Sequence, residues 1–240
     1  MAWVQKAMIV TIQQPEHLPW LGFFNKMAQC DLYVYLDNVQ FKKRYFENRN
    51  RIRTKEGEQW LTVPVLTKGS YEQKLRDVAI QDDAAWKRKY LGTLEHNYKK
   101  APYWADVRSI VYPALEASGN SLLNLNLSLI EAVRGYLGID TKTVLASSLG
   151  VDEYAGSDLI LEISKVTGAS VYISGPDGRN YLQLDRFQAA GIKVGYHDFT
   201  HPEYSQPFVP FMPYMSIIDC IANCGKDTGR IVRDCYRITV

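Results

Sequence analysis

The sequence predicts an α/β protein with a mostly parallel, Rossmann-like sheet flanked by helices. Short apolar segments typical of buried strands alternate with helical segments over most of the chain. Two predicted helices end at Gly168 and Gly191, and an apolar segment of strand length follows each glycine, as in βαβ units. The length of 240 residues suits one domain, so we expect a single α/β domain over residues 1–240.

The spacing of apolar residues predicts the individual elements. Strands are expected at Met8–Ile12, Leu32–Leu36, Leu61–Leu66, Thr143–Ala146, Ser170–Ser174 and Lys193–Asp198. Helices are expected at Trp20–Gln29, Asp83–Asn97, Tyr103–Ala117, Leu122–Leu137, Ser157–Thr167, Asp185–Ala190 and Met215–Asn223. Three of these helices follow one another without a strand between them, which predicts a helical middle section over residues 83–138.

Composition and charge exclude several classes of protein. The formal charge is +2, from 28 basic and 26 acidic residues, which is too balanced for a protein that coats nucleic acid. No segment approaches 18 apolar residues, and the N-terminus lacks the apolar core of a signal peptide. The four cysteines form no CxxC pair and the four histidines are scattered, so no metal site and no cofactor are expected. These features predict a cytoplasmic protein without a membrane span.

Polar residues gather where the first predicted strand ends, and the carboxyl ends of parallel strands are where such sheets bind ligands. The segment from Gln13 to Gly22 carries two prolines that fix its backbone. It presents two amides, a carboxyl group and an imidazole close to a helix start, where backbone N–H groups favour anions. An ordinary capped turn between a strand and a helix would explain the same residues.

Residues 37–53 follow the second predicted strand and are rich in basic side chains. Six Lys or Arg residues lie within twelve positions, between Lys42 and Arg53, and they alternate with Asn and aromatic residues. Guanidinium groups suit phosphate or carboxylate, and Asn pairs suit a sugar hydroxyl or a base edge. A solvated basic loop is the alternative interpretation.

Two later segments complete the candidate site. Ser174–Tyr181 follows a strand and contains two glycines and a proline, which lets a ligand approach the backbone closely. It lacks the GxxxxGK[ST] pattern, and Pro-Asp-Gly is also a plain turn. Tyr204–Pro207 and Ser216–Asp219 lie nearer the C-terminus, and Ser216 can equally cap the last helix.

Taken in order, these segments resemble the WbqC-like protein family. The family pattern runs Q-P-x-x-L-P-W-x-G-x-F, then an aspartate-ended strand with V-Q, then N-R-N-x-I, I-S-G-x-x-G-x-x-Y-L, Y-x-Q-P and S-I-I-D. These motifs correspond to Gln14–Phe24, Asp37–Gln40, Asn48–Ile52, Ile173–Leu182, Tyr204–Pro207 and Ser216–Gly225, where the last segment includes an asparagine and a glycine that follow S-I-I-D. His17 departs from the pattern, where tyrosine is more usual. The resemblance implies a role in surface polysaccharide (O-antigen) biosynthesis, with transfer of glycine or another acyl group to an amino sugar.

The opening strand, proline-containing turn and helix also resemble the start of HIGH-type nucleotidyltransferases and pantothenate synthetase-like ligases. In those proteins the turn holds ATP phosphates. This chain has one histidine in the turn rather than two, and it has no clear KMSKS-like segment. The likeness is at the level of the fold and does not by itself establish a function.

The leading hypothesis is an aminoacyl or acyl transferase that acts on a nucleotide-linked amino sugar, with His17 or Asp37 removing a proton from the attacking amine. The alternatives are a nucleotidyltransferase or ATP-dependent ligase, and a non-catalytic binding protein of the pathway. The expected partners are a nucleotide sugar and an acyl donor. Nucleic acid is expected only as an aminoacyl-tRNA donor, and the oligomeric state is left open. The residues expected to bind substrate are Gln13, Gln14, Lys26, Gln40, Asn48, Arg49, Asn50, Arg51, Gly175, Tyr181, Tyr204, Gln206, Ser216 and Asp219.

Overall fold

The computed structural model describes residues 7–70, 72–81, 84–235 and 238–239. The strands are β1 (Ile9–Gln13), β2 (Leu32–Tyr35), β3 (Arg49–Thr54), β4 (Gly57–Thr62), β5 (Lys142–Leu145), β6 (Val171–Ser174), β7 (Lys193–His197) and β8 (Ile238–Thr239). The helices are α1 (Leu21–Met27), α2 (Ala84–Tyr98), α3 (Trp104–Ala117), α4 (Leu122–Leu137), α5 (Gly156–Val166), α6 (Leu184–Ala189), α7 (Ile217–Cys224) and α8 (Asp227–Asp234).

The main sheet has the strand order β5-β2-β1-β6-β7-β8, in which the first five strands are parallel and β8 is antiparallel. From β1 the chain moves outward through β2 to β5, and it then returns to the other side of β1 to add β6 and β7. The order therefore reverses between β1 and β6, where Thr11 lies opposite Ile173. The predicted α/β class with a parallel sheet is confirmed.

Two apolar cores cover the two faces of this sheet, because successive side chains of a strand point to opposite faces. In β2, Tyr33 and Tyr35 pack into a large core with α1, α2, α3, α4, α7 and α8. Val34, between them, packs on the other face with α5 and α6. The helices α2, α3 and α4 follow one another in the chain, as the sequence predicts for this section. The predicted start of the first of these helices, Asp83, lies outside the described residues.

The strand predicted at Leu61–Leu66 is wrong in its bounds and in its sheet. β4 ends at Thr62 and pairs antiparallel with β3 as a separate two-stranded sheet. The sequence of β3, Arg-Asn-Arg-Ile-Arg-Thr, contains too many charged residues to suggest a strand, and by itself it predicts a loop. In the structure Ile52 and Arg53 are buried, since this hairpin packs on the large helical core.

Asn126, which is buried on α4, fixes the turn that follows β1. Its side-chain amide donates hydrogen bonds to the carbonyl oxygens of Pro15 (2.9 Å) and Glu47 (2.7 Å). Its oxygen contacts Nδ1 of His17 at 3.0 Å, and Nε2 of His17 contacts the hydroxyl of Tyr90 at 2.7 Å. Asn126 thus joins α4 to the turn and to the segment before β3, and the contact of His17 with Tyr90 connects the turn to α2.

The same turn contains Leu18, a buried residue with a φ of 41° in the left-handed region, which a branched side chain rarely adopts. Two side chains hold its carbonyl oxygen: Asn50 donates from Nδ2 at 2.9 Å and Ser216 from Oγ at 2.8 Å. The backbone N–H of Ile217 also donates to Pro19 at 2.8 Å. The turn is therefore held from α4, from β3 and from the start of α7.

We predict that Asn126→Ala lowers the free energy of unfolding by about 2 to 5 kcal/mol, because two buried carbonyl groups and an imidazole lose a partner. Asn124→Ala is the matched control, since Asn124 is exposed on the same helix, and it should change stability by less than about 0.5 kcal/mol. Urea unfolding followed by circular dichroism measures both. Equal losses for the two variants would contradict the role given to Asn126.

Candidate functional site

A cavity of about 250 Å³ opens at the carboxyl ends of β1 and β6. This is the point at which the strand order reverses, and ligands of open α/β sheets bind in the crevice at such a point. The walls come from the ends of β1, β6 and β7, from α1, and from the loops after β2 and β6. The lining residues are Ile12, Gln13, Gln14, Glu16, Trp20, Gly22, Phe23, Lys26, Lys42, Tyr45, Tyr172, Ser174, Gly175, Pro176, Asp177, Gly178, Tyr181 and His197.

A second cavity of about 290 Å³ adjoins the first and shares Glu16, Trp20, Tyr45 and Asp177 with it. The two form one cleft, whose inner end is the cavity at the sheet and whose outer end is the adjoining cavity. The outer end is largely aromatic and also carries Arg51. Its other lining residues are Phe46, Asn50 and Tyr214. The cleft therefore combines a polar inner end with an outer end that is lined mainly by aromatic side chains.

Glu16 and Lys26 give the inner end its electrostatic character. Burial raises the pKa of Glu16 to about 7, although the bond from Gln13 Nε2 (3.0 Å) and the charge of Lys26 oppose the shift. Burial likewise lowers the pKa of Lys26 to about 8, against the attraction of Glu16. Among the described residues no salt bridge joins the two side chains. They are opposite charges in one cavity that remain available to a ligand.

His197, at the end of β7, forms part of the wall opposite the turn. Its Nε2 contacts Oδ1 of Asn25 at 2.6 Å, and Asn25 in turn donates to the carbonyl oxygen of Val232 on α8. Burial, together with the nearby charge of Lys26, lowers the pKa of His197 to about 4. At neutral pH this imidazole is uncharged, and it supplies a polar wall without adding positive charge.

Trp20 lines both ends of the cleft, and its indole ring lies directly over Gly22. A Cβ atom at position 22 would overlap the indole, so the close approach requires glycine. Beyond Gly22, the indole meets Phe199 edge-on with centroids 5.0 Å apart and Tyr214 at 5.4 Å. The Trp-x-Gly pair of the sequence thus has a packing explanation.

Seven of the predicted substrate-binding residues lie in the cleft, and they come from four separate segments of the chain. Five line the inner end and two line the outer end. They are Gln13, Gln14, Lys26, Gly175, Tyr181, Asn50 and Arg51.

The two residues predicted to be catalytic lie outside the cleft. His17 is fully buried, and both of its ring nitrogens are engaged by Asn126 and Tyr90. Burial lowers the pKa of His17 to about 4. The carboxylate of Asp37 accepts bonds from the backbone N–H of Ser147 (2.9 Å) and from its hydroxyl (2.6 Å). Asp37 therefore ties the end of β2 to the end of β5, and His17 fixes the turn, so neither prediction gains support from the structure.

Three predicted substrate-binding residues of the basic segment also lie away from the cleft. Asn48 donates to the carbonyl oxygen of Val63 at 2.8 Å, which joins the two arms of the hairpin. Arg49 lies over the ring of Trp60 at 4.0 Å from its centroid. Gln40 is exposed and pairs through its backbone with Lys74. These side chains organise the hairpin and its surroundings.

Tyr204, Gln206 and Asp219 form a buried network rather than a substrate contact. The Asp219 carboxylate accepts from Tyr204 OH (2.7 Å), Tyr98 OH (2.8 Å) and Gln206 Nε2 (2.8 Å). Burial raises the pKa of Asp219, and the hydrogen bonds oppose this shift. Gln206 also bonds the backbone of Met212. The network anchors the loop before α7, and Ser216, also predicted to bind substrate, holds the Leu18 carbonyl instead.

The predicted set does not include several residues that line the cleft, among them Glu16, Trp20, Ser174 and His197. Each stands at a strand end or beside the proline turn, so their positions alone carried a signal. Glu16 is adjacent to His17, which is one of the two residues predicted to be catalytic, and its carboxyl group is an equally good candidate from the sequence. For His197 the only signal was its place at the end of a predicted strand, which marks the edge where a parallel sheet binds ligands.

Two further properties bear on the chemistry of the chain. Over the ranges that the structure describes, no group of three or more His, Cys, Asp or Glu side chains is placed to hold a metal ion. Within the same ranges, no helix has the length and apolar character needed to cross a membrane.

The fold and the cleft define an α/β protein with a deep, mixed polar and aromatic cleft at the switch point of a parallel sheet. The chain belongs to the WbqC-like protein family, whose sequence model matches residues 14–231. It is 34% identical over 229 residues to an uncharacterized protein of Mycobacterium tuberculosis, an alignment that covers 94% of this chain and 98% of that protein. No solved structure matches the chain.

We predict that Gly22→Ala lowers the free energy of unfolding by about 1 to 3 kcal/mol, because the added methyl group displaces the Trp20 indole. Gly92→Ala is the control, since Gly92 lies in α2 with open space around its Cα. Alanine there should stabilise the protein by up to about 1 kcal/mol. Urea unfolding measures both changes, and a neutral Gly22→Ala variant would show that the indole contact does not constrain the turn.

Proposed function

We propose that the protein is an aminoacyl or acyl transferase that acts on the amino group of a nucleotide-linked amino sugar in surface polysaccharide biosynthesis. The observation that carries the proposal is the position of Glu16, which lines both the inner and the outer end of the cleft. Ligands bound in the two ends would meet at its carboxyl group. Family membership supports the pathway, and the four free cysteines support a cytoplasmic location.

Glu16 has the properties of a general base for this reaction. A protonated amine must lose a proton before it attacks an acyl carbon. With a pKa of about 7, Glu16 is partly ionised at neutral pH and can accept that proton. After Glu16 has passed this first proton to solvent, the amine nitrogen bonds to the acyl carbon and the bond from that carbon to its leaving group breaks. Glu16 then takes the second proton, which the new amide nitrogen must lose, and can transfer it to the leaving group.

The outer end of the cleft suits the nucleotide part of such a substrate. Trp20, Tyr45 and Tyr214 present ring faces and edges on which a base or a sugar can pack. Arg51 supplies a guanidinium group that can bind a phosphate. Its partner Glu58, at 2.9 Å, forms an exposed pair, which contributes little stability and leaves Arg51 available.

The alternative of a nucleotidyltransferase or ATP-dependent ligase receives less support. In that mechanism the histidine of the first turn contacts ATP phosphates, whereas His17 is buried between Asn126 and Tyr90. ATP–pyrophosphate exchange, which only this alternative predicts, provides its test.

Binding of nucleotide sugars is the first test of the proposal. We expect UDP- or dTDP-linked sugars to bind in isothermal titration, and Arg51→Gln to weaken the binding by about 10-fold through the loss of a charge-assisted hydrogen bond. Arg49→Gln is the matched comparison on the same strand, because Arg49 lies over Trp60 rather than in the cleft. Failure of all these sugars to bind would exclude the proposal, and an equal effect of both variants would exclude the assignment of Arg51.

Replacement of Glu16 separates a transferase from a binding protein. With the sugars that bind and candidate acyl donors, Glu16→Gln should lower kcat by about 100-fold or more and leave sugar affinity nearly unchanged. The wild-type rate should rise with pH through about 7, because the ionised carboxylate is the active form. Glu95→Gln, an exposed change on α2, is the control. Sugar binding with no transfer from any donor would instead support a non-catalytic binding protein.

A further inference from the structure

Two polar side chains of the inner end lack a partner within the part of the chain that the structure describes. Lys26 is 5% exposed, and its ammonium group has no hydrogen bond or salt bridge there. Ser174 is 1% exposed, and its Oγ has no hydrogen-bond partner. Tyr172 lies near enough to Ser174 to influence the pKa of the tyrosine hydroxyl, but no bond of regular geometry joins them. Both side chains line the same cavity.

Such groups are costly to bury alone, because each loses its bonds to water without replacing them. At three other buried polar side chains this cost is offset, since Asn126, Asp219 and Asn50 each form several hydrogen bonds. Ser174 Oγ packs closely against Gly178, since a Cβ atom at position 178 would overlap it. The ammonium group of Lys26 and the hydroxyl group of Ser174 are therefore hydrogen-bond donors whose missing acceptor a ligand can supply.

The charges of the inner end indicate which ligand group fits. The described lining contains two acidic side chains, Glu16 and Asp177, and two basic side chains, Lys26 and Lys42. Their formal charges sum to zero while His197 is neutral. Among the residues that the structure describes, no arginine lines this end, although arginine is the side chain that most often binds phosphate through two parallel hydrogen bonds. A dianionic phosphate would place excess negative charge beside Glu16. One ammonium and one hydroxyl match a planar group with a single negative charge.

We propose that the inner end of the cleft is a carboxylate-binding subsite, in which Lys26 and Ser174 hold one carboxylate group of a substrate. The inference deepens the proposed function and rests on it in one respect: the carboxylate belongs either to the sugar or to the acyl donor that reacts beside Glu16. In the first case the acceptor is an acidic amino sugar. In the second case the donor carries a free carboxylate.

The subsite itself is tested with acetate and inorganic phosphate as probes, titrated into the full chain and followed by NMR chemical shifts. We expect saturable binding of acetate that is tighter than that of phosphate. Lys26→Met should weaken acetate binding about 10- to 100-fold, and Ser174→Ala about 2- to 10-fold. Lys193→Met, an exposed change at the opposite end of β7, is the control and should have no effect.

The source of the carboxylate is tested with UDP-glucuronic acid and UDP-glucose, which differ by one carboxylate on the sugar. Tighter binding of the acid that Lys26→Met abolishes would support the sugar as the source. Equal binding of the two sugars, together with Lys26-dependent acetate binding, would support the donor. Tighter binding of phosphate than of acetate, acetate binding unchanged in Lys26→Met, or no saturable binding of either carboxylate would overturn the subsite.

The two proposals fail in different ways. If no nucleotide sugar binds while acetate binds through Lys26, the subsite stands and the proposed function fails. If nucleotide sugars bind through Arg51 but no carboxylate binds at the inner end, the proposed function stands and the subsite fails. Urea unfolding of Lys26→Met and Ser174→Ala establishes that each variant is folded, and Ser174→Ala gives an independent result if Lys26→Met is not.

Discussion

The cleft depends on one constraint, which is the fixed shape of the turn between β1 and α1. Pro15 and Pro19 restrict this turn, but Leu18 adopts a left-handed conformation that would relax if nothing held it. The side chains of Asn50 and Ser216 hold the carbonyl oxygen of Leu18, and the side chain of Asn126 holds that of Pro15. They come from α4, β3 and the residue before α7, so the turn is set by tertiary structure. The same turn contains Glu16 and leads into α1, which contains Lys26. Its shape therefore determines where these two charged side chains lie in the inner end of the cleft.

Most of the polar residues in the family motifs serve this scaffold. Asn50 and Ser216 donate hydrogen bonds to the carbonyl oxygen of Leu18. Tyr204 and Gln206 donate hydrogen bonds to the buried carboxylate of Asp219. Buried polar groups need complete sets of hydrogen bonds, and a scaffold built from such groups tolerates few substitutions. Polar residues in a family motif can therefore have a structural role. Whether such a residue is structural or a candidate for ligand binding depends on its position relative to the cleft.

The sequence predicted the fold class and the edge of the sheet that carries the site, because strand-length apolar segments and glycine stops are local signals. It could not predict which way the side chains at that edge point. Glu16 and His17 are neighbours, yet one faces the cleft and the other faces Asn126, which is 109 positions away from His17 in the chain. Asp37 follows a strand as expected, but its carboxylate accepts two hydrogen bonds from Ser147, which lies after the neighbouring strand β5. The β3–β4 hairpin was missed because its buried side includes Arg53, whose guanidinium group bonds the backbone of Thr54 and Pro210.

The electrostatics of the cleft distinguish it from the rest of the interior. Asp219 is buried with three hydrogen-bond donors, and His17 is buried in its neutral form, so both are compatible with a stable unliganded fold. Lys26 is different, because it faces a cavity, and its burial is opposed by the attraction of Glu16 and Cys30 without a hydrogen bond or salt bridge among the described residues. A protein gains nothing in stability from that arrangement, since an apolar side chain of similar size would fit the same helix face. The free energy that this unpaired charge costs can be recovered when it binds an anion, which is the physical argument for the proposed subsite at the inner end of the cleft.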